Sequence, residues 1–172
     1  MTAQPPARFR TTLVYLVLAV LIVAADQYTK ALVLLHLLGA PPLEVLPFLD
    51  LVVVFNRGAA FGFLNSAGGW QRVFFIALAM IVSAVILVML WRNAHRNAQF
   101  ALALALILAG AVGNLIDRVR WGYVVDFIDV FYHNWHWPAF NVADSAITIG
   151  AILFVMDSFG WRLFGRGAPT AD

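Results

Sequence analysis

Carboxylates carry the reactive potential of this chain. Asp26, Asp117, Asp126 and Asp144 lie in or beside strongly apolar sequence, where an ionisable side chain is costly and usually marks function. Two aspartates held close together cannot easily both ionise, so one keeps a proton while the other acts as base. Such a pair can activate water for attack on an amide and protonate the leaving nitrogen. Other chemistries are poorly served. The chain has no cysteine, which excludes disulfides, thiol nucleophiles and Cys-based zinc sites. It has only four serines and no Gly-x-Ser-x-Gly, and nothing around Ser145 or the lone Lys30 supports a Ser-Lys pair. There is no His-Glu-x-x-His, and His133 and His136, in an aromatic loop, read as interfacial side chains.

The elements that must position these carboxylates are membrane helices. The 172 residues are 63% hydrophobic and 12% charged, with mean hydropathy +0.86. That is about half the charge of a soluble domain, so the excess apolar surface must face lipid. The 11 basic residues are scattered, which argues against nucleic acid as a partner. A spanning helix needs about 20 mostly apolar residues, and four stretches qualify: about 12–35, 73–91, 98–117 and 141–160. The expected fold is therefore an all-α polytopic membrane protein, one domain over 1–172 with four transmembrane helices. Arg8 and Arg10, Arg92 and Arg96, and Arg162 and Arg166 fall on one side of such a topology, which places the N and C termini in the cytoplasm. The run before Ala24-Ala25 is read as an uncleaved helix rather than a signal peptide, because apolar sequence resumes after Lys30. The outer loops, about 36–72 and 118–140, contain strand-like runs at 51–55 and 123–128 between Pro and Gly punctuation. A small β-sheet on the outer surface is expected there, with Trp121, Trp135 and Trp137 at the membrane–water interface.

On this layout the polar residues meet at one depth. Asp26 lies about 21 Å along the first helix, at 1.5 Å per residue. Asn114 and Asp117 end the third helix, Asn141 and Asp144 begin the fourth, and Asp126 lies in the loop between them. Each has a structural reading as well. Asn141 and Asp144 have the spacing of a helix cap with an acid in the first turn. Asp117 has Arg118 beside it, and an ion pair between them is the favoured reading. Asp26 can pair with Lys30 at i, i+4. Asp129 reads as a solvated loop residue, and Gly110 and Gly113 as sites of close helix packing. Asp126 has no adjacent base and the weakest structural explanation. Two functions remain open on this chemistry: an outward-facing aspartyl hydrolase, or a binding or proton-coupled transport protein. Four spans without a detectable inverted repeat are few for a transporter.

Five motifs bear on the choice. Asp26-Gln27-Tyr28-Thr29-Lys30 resembles the D-Q-x-[ST]-K box of the lipoprotein signal peptidase (signal peptidase II) family. Residues Phe55 to Gly62, containing Asn56, Gly58, Ala59, Ala60 and Phe61, resemble its N-x-G-A-A-F box. Gly110 to Arg118 resembles G-G-x-x-G-N-x-x-D-R, with Ala111 where the second glycine is usual. Val124-Val125-Asp126-Phe127 resembles V-V-D-F, and Phe140 to Ala146 resembles F-N-x-A-D-[ST]-A. The five occur in the family's order over residues 26 to 146.

The resemblance implies a membrane aspartyl endopeptidase of the bacterial inner membrane, with its active site at the periplasmic face. It implies a dyad of Asp126 and Asp144, with Asp117 and Asp144 as the alternative pair. Asn56, Gly58, Asn114, Asp117, Arg118 and Asn141 would line or support the site, and Asp26 would brace it. The implied substrate is a diacylglyceryl-modified prolipoprotein, cut just before its lipidated cysteine. Membrane lipid and globomycin-type inhibitors are the other implied partners, and a monomer is expected. No metal or organic cofactor is implied. The strand-like segments at 51–64 and 121–130 are expected to clamp an extended peptide by edge pairing, and the loop at 56–70 to open and close over the site.

Overall fold

A computed structural model describes residues 7–58, 68–95 and 97–163. Among them the order is α1 (Ala7–Leu37), β1 (Leu43–Leu46), β2 (Leu49–Asn56), α2 (Trp70–Asn93), α3 (Ala98–Arg120), β3 (Val124–Tyr132), β4 (Trp135–His136) and α4 (Val142–Ser158). Helix α1 already includes residues 7–11, ahead of the expected span at 12–35. Arg8 and Arg10 are thus helical. The Arg8 guanidinium donates to the Trp91 carbonyl at the end of α2 and lies 5.0 Å from the Trp91 ring centre.

Helices α1, α2 and α3 are long and apolar enough to cross a membrane. Large apolar side chains cover their outer faces, among them Val14, Val17 and Leu21 on α1 and Val73, Ile81 and Val88 on α2. The stretch expected at 141–160 forms a shorter helix. It has 17 residues, about 25 Å at 1.5 Å each, and Gly160 at φ 75° follows it. A left-handed residue cannot continue a right-handed helix.

Helix α3 is the centre of the bundle, with α1, α2 and α4 packed on it. Its Ala101, Ala103, Leu104, Ala105 and Leu108 are buried. Missing side chains set the closeness to α4. A Cβ at Gly110 would collide with the Ala143 carbonyl, and one at Gly150 would lie 2.8 Å from the Ala103 carbonyl oxygen. These contacts agree with the packing read from Gly110 and Gly113.

The sheet is antiparallel with order β1-β2-β3-β4. Both expected strands are present, extended and flanked by two more. β1 and β4 have only 4 and 2 residues, too short for a period-2 pattern to show in sequence. Residues 51–56 and 124–128 are paired with each other rather than left open, so each has one edge consumed. Residues 59–67, which hold part of the expected clamp and most of the expected loop at 56–70, lie outside the described residues.

One irregularity in β2 positions the site. Leu51 faces Ile128, but Val54 faces Asp126, so three residues of β2 match two of β3. A one-residue bulge exchanges the faces of a strand. Without it Phe55 would stand opposite Val124; with it Asn56 does, on the same face as Asp126.

Candidate active site

The polar residues of α1, α3, β3 and α4 form one network at the sheet end of the bundle. Asp26, Lys30, Asn114, Asp117, Asp126 and Asn141 are all less than 8% exposed. A buried polar group must find its partners inside the protein, and here nearly all of them come from the same set.

Asp144 stands in the first turn of α4, and the capping geometry read from the sequence is present. Asn141 Oδ1 accepts from the Asp144 backbone N–H at 2.8 Å, and Asp144 Oδ2 accepts from the Asn141 N–H at 3.2 Å. The same residues also reach outward. Asn141 Nδ2 donates to Asp126 Oδ1 at 2.7 Å, and Asn114 Nδ2 donates to Asp144 Oδ1 at 2.7 Å. Asn56 Nδ2 donates to Asp126 Oδ2 at 3.0 Å, while Asn56 Oδ1 accepts from the Gly58 N–H at 3.0 Å. Every oxygen of Asp126 and Asp144 therefore accepts a hydrogen bond from an amide N–H. Burial pushes the Asp126 carboxyl up to about 7, and the nearby charge of Asp144 pushes it the same way. The donated bonds from Asn56 and Asn141 and the charge of Lys30 oppose that rise without cancelling it.

Asp117 is held differently. Its Oδ2 pairs with Lys30 Nζ at 2.8 Å and accepts from the Val125 N–H at 3.1 Å, and its Oδ1 accepts from Gln27 Nε2 at 2.8 Å. The ion-pair partner is thus Lys30 from α1, not the sequence neighbour Arg118. Adjacent helical residues point about 100° apart, and Arg118 is turned toward Gly58, whose carbonyl accepts from its NH2 at 2.9 Å. The Arg118 guanidinium also lies 4.9 Å from the Phe75 ring centre. Asp26 pairs with Lys30 at 2.9 Å and accepts from the Ala143 N–H at 2.9 Å, joining α1 to the start of α4.

A cavity of about 1260 Å³ opens beside this network, with α2, α3 and α4, the end of β2, the start of β3 and the segment 137–140 as its walls. Its lining is mostly apolar, and its polar patch is Asn56, Asn114, Arg118, Asp126, Asp144 and Ser145. Asp26, Asp117 and Asn141 stand behind that wall. The volume exceeds that of usual small-ligand sites, about 300–1,000 Å³. Two carboxylates on the wall of an apolar cavity can hold a water between them and an amide against it.

Lys30 and Gln27 are site members that the sequence reading did not place there. The signal was available: Lys30 is the sole lysine and lies within an apolar span. His136 and Asp129 stay apart from the site, paired with each other at 2.8 Å. Among the described residues no group of three or more His, Asp or Glu is arranged to hold a metal ion.

The family model described as Signal peptidase (SPase) II matches residues 18–160 of this chain. A lipoprotein signal peptidase of Acinetobacter baumannii is 53% identical over 147 residues, covering 86% of this chain and 84% of the relative. The lipoprotein signal peptidase of Cupriavidus necator is 48% identical over 147 residues, covering 86% and 83%. Two solved structures described as bacterial membrane enzymes share the fold. One has TM-score 0.74 at 33% identity, covering 89% of this chain and 94% of the other. The second has TM-score 0.74 at 36% identity, covering 84% and 92%.

Proposed function

We propose a reaction for this chain, which belongs to the signal peptidase II family and is a multi-pass membrane peptidase acting in the removal of signal peptides from prolipoproteins: hydrolysis of the bond just before a diacylglyceryl-modified cysteine, by Asp126 and Asp144. The observation that carries this reading is that these two carboxylates line one large apolar cavity, while Asp117 is behind its wall and ion-paired with Lys30. That arrangement favours Asp126 over Asp117 as the partner of Asp144.

Asp126 and Asp144 share one proton and titrate as a pair. The ionised carboxylate removes a proton from water as the water oxygen attacks the scissile carbonyl, and the protonated one protonates the carbonyl oxygen. Collapse of the tetrahedral diol returns that proton to the carboxylate that gave it, and the other carboxyl protonates the leaving nitrogen. Asn56, Asn114 and Asn141 hold the carboxylates in register, and Arg118 fixes the Gly58 turn beside them. The apolar remainder of the cavity receives the acyl chains and signal-peptide helix of the substrate, and a globomycin-type inhibitor competes for it. In the membrane, α4 is the fourth span of a single monomeric domain. The termini are cytoplasmic, and the sheet end lies at the periplasmic face of the inner membrane. No cofactor takes part.

Purified protein in detergent, mixed with a diacylglyceryl-modified prolipoprotein, is tested by gel shift. Wild type should cleave; Asp126→Asn and Asp144→Asn should be folded and inactive. Cleavage by Asp126→Asn together with inactivity of a folded Asp117→Asn would move the dyad to Asp117 and Asp144. Failure of wild type to cleave would return the binding or transport reading, for which proton flux in proteoliposomes is the next test.

A further inference from the structure

The three asparagines that touch the dyad share one problem. An amide presents a donor on one side and an acceptor on the other, and only the donor side suits a carboxylate. Each must be prevented from turning over. For Asn56, the Gly58 N–H occupies its oxygen at 3.0 Å. For Asn141, the Asp144 N–H does so at 2.8 Å. Both are backbone donors fixed by a turn and a helix start. Asn114 has no such backbone donor on its oxygen. Its Oδ1 instead accepts from Lys30 Nζ at 3.2 Å, with Asn141 Nδ2 at 3.3 Å.

We propose that Lys30 is a positioning residue for the reaction: its ammonium locks the Asn114 amide so that an N–H always faces Asp144. The inference rests on the dyad reading above and assigns a cause to one part of it. An ammonium has three donors and no acceptor, so a reversed Asn114 would set its NH2 against a group that can only donate. All three Lys30 donors are in use, toward Asp26 at 2.9 Å, Asp117 at 2.8 Å and Asn114 at 3.2 Å. The two aspartates aim the ammonium, and its third donor sets the amide. Lys30 is not part of the cavity lining, so its hydrogen-bonded route to the dyad runs through Asn114; its charge also reaches Asp126, and removing Asp26 together with Lys30 keeps the local net charge constant.

A double-mutant cycle tests this. Lys30→Met alone leaves two buried carboxylates without a counter-ion and destabilises the fold. The tested variant is therefore Lys30→Met with Asp26→Asn, which leaves the local net charge unchanged. Asp117 keeps its bonds from Gln27 and Val125. If this pair melts early, Asp117→Asn is added and the same cycle is run. With the diacylglyceryl-modified prolipoprotein, kcat should fall about 10- to 100-fold, the loss of one hydrogen bond to a charged group, while KM stays within about twofold. In an Asn114→Ala background the same change should cost less than about twofold more. Independent, multiplying losses in the two backgrounds would overturn the proposal, as would an unchanged kcat. Wild type and Asp126→Asn in the same assay separate the two levels: cleavage by Asp126→Asn would refute the dyad reading itself.

Discussion

Asp126→Asn should change the pH dependence of stability in a direction that the burial of Asp126 fixes. The carboxyl sits at about 7 in the folded protein against 3.8 in the open chain. Between those values the native state binds more protons than the unfolded one, so wild-type stability falls as pH rises through the window. For one group with these values, the loss from pH 5 to pH 8 is about 2–3 kcal/mol. The groups that set the shift are the charge of Asp144 from α4, that of Lys30 from α1, and the amides of Asn56 and Asn141. All remain when Asp126 is replaced by Asn, and only the titrating group is removed. The melting temperature of the variant minus that of wild type should therefore increase between pH 5 and pH 8. For a chain of 172 residues the increase is roughly 5–10 °C. Intrinsic tryptophan fluorescence in detergent, scanned at pH 5, 6, 7 and 8, measures it directly. A difference that is the same at all four values would refute the claim that burial holds the Asp126 proton into the neutral range.

Cleavage by wild type should weaken on the alkaline side as the dyad loses its shared proton, and a kcat/KM profile rising steadily from pH 6 to pH 9 would count against a proton-sharing pair. Gly113→Ala would place a Cβ 2.8 Å from Asp26 Oδ2 and 3.1 Å from the Ala143 Cβ; because Asp26 is tied to both Lys30 and Ala143, overpacking should destabilise by about 1–3 kcal/mol, read as a lower denaturation midpoint together with lost activity. Gln99→Leu at the far end removes the bonds to the Trp161 carbonyl at 2.9 Å and from the Leu163 N–H at 2.6 Å; faster proteolysis after residue 158 with kcat unchanged is the expected outcome, and equal proteolysis would show that Gln99 does not hold that segment.

Much of the site was legible because membrane sequence makes polar residues conspicuous. Asp126 and Asp144 stand out against apolar surroundings, and the spacing of Asn141 and Asp144 encodes a helix cap that the structure contains. Helix positions were legible for the same reason, since a long apolar run has few alternatives. The ends were not. The stop of α4 depends on Gly160, whose left-handed conformation a hydropathy pattern does not register. Asp117 shows the limit of adjacency: its charged neighbour in sequence faces another way, and its partner is 87 positions earlier, at Lys30.

The sequence by itself determined that the chain is membrane-embedded, which stretches are helical, which residues are too costly to be there without a role, and, through five ordered motifs, which family it resembles. These follow from composition, periodicity and local spacing, all of them properties of neighbours along the chain. Only the tertiary structure decided which carboxylates line the cavity and which are spent on Lys30. It also placed Asn56 on the face of Asp126 through a bulge in β2, and turned each asparagine's donor toward the dyad. Those outcomes depend on contacts across as many as 87 positions, where a hydrogen bond is set by how helices and strands approach one another in space.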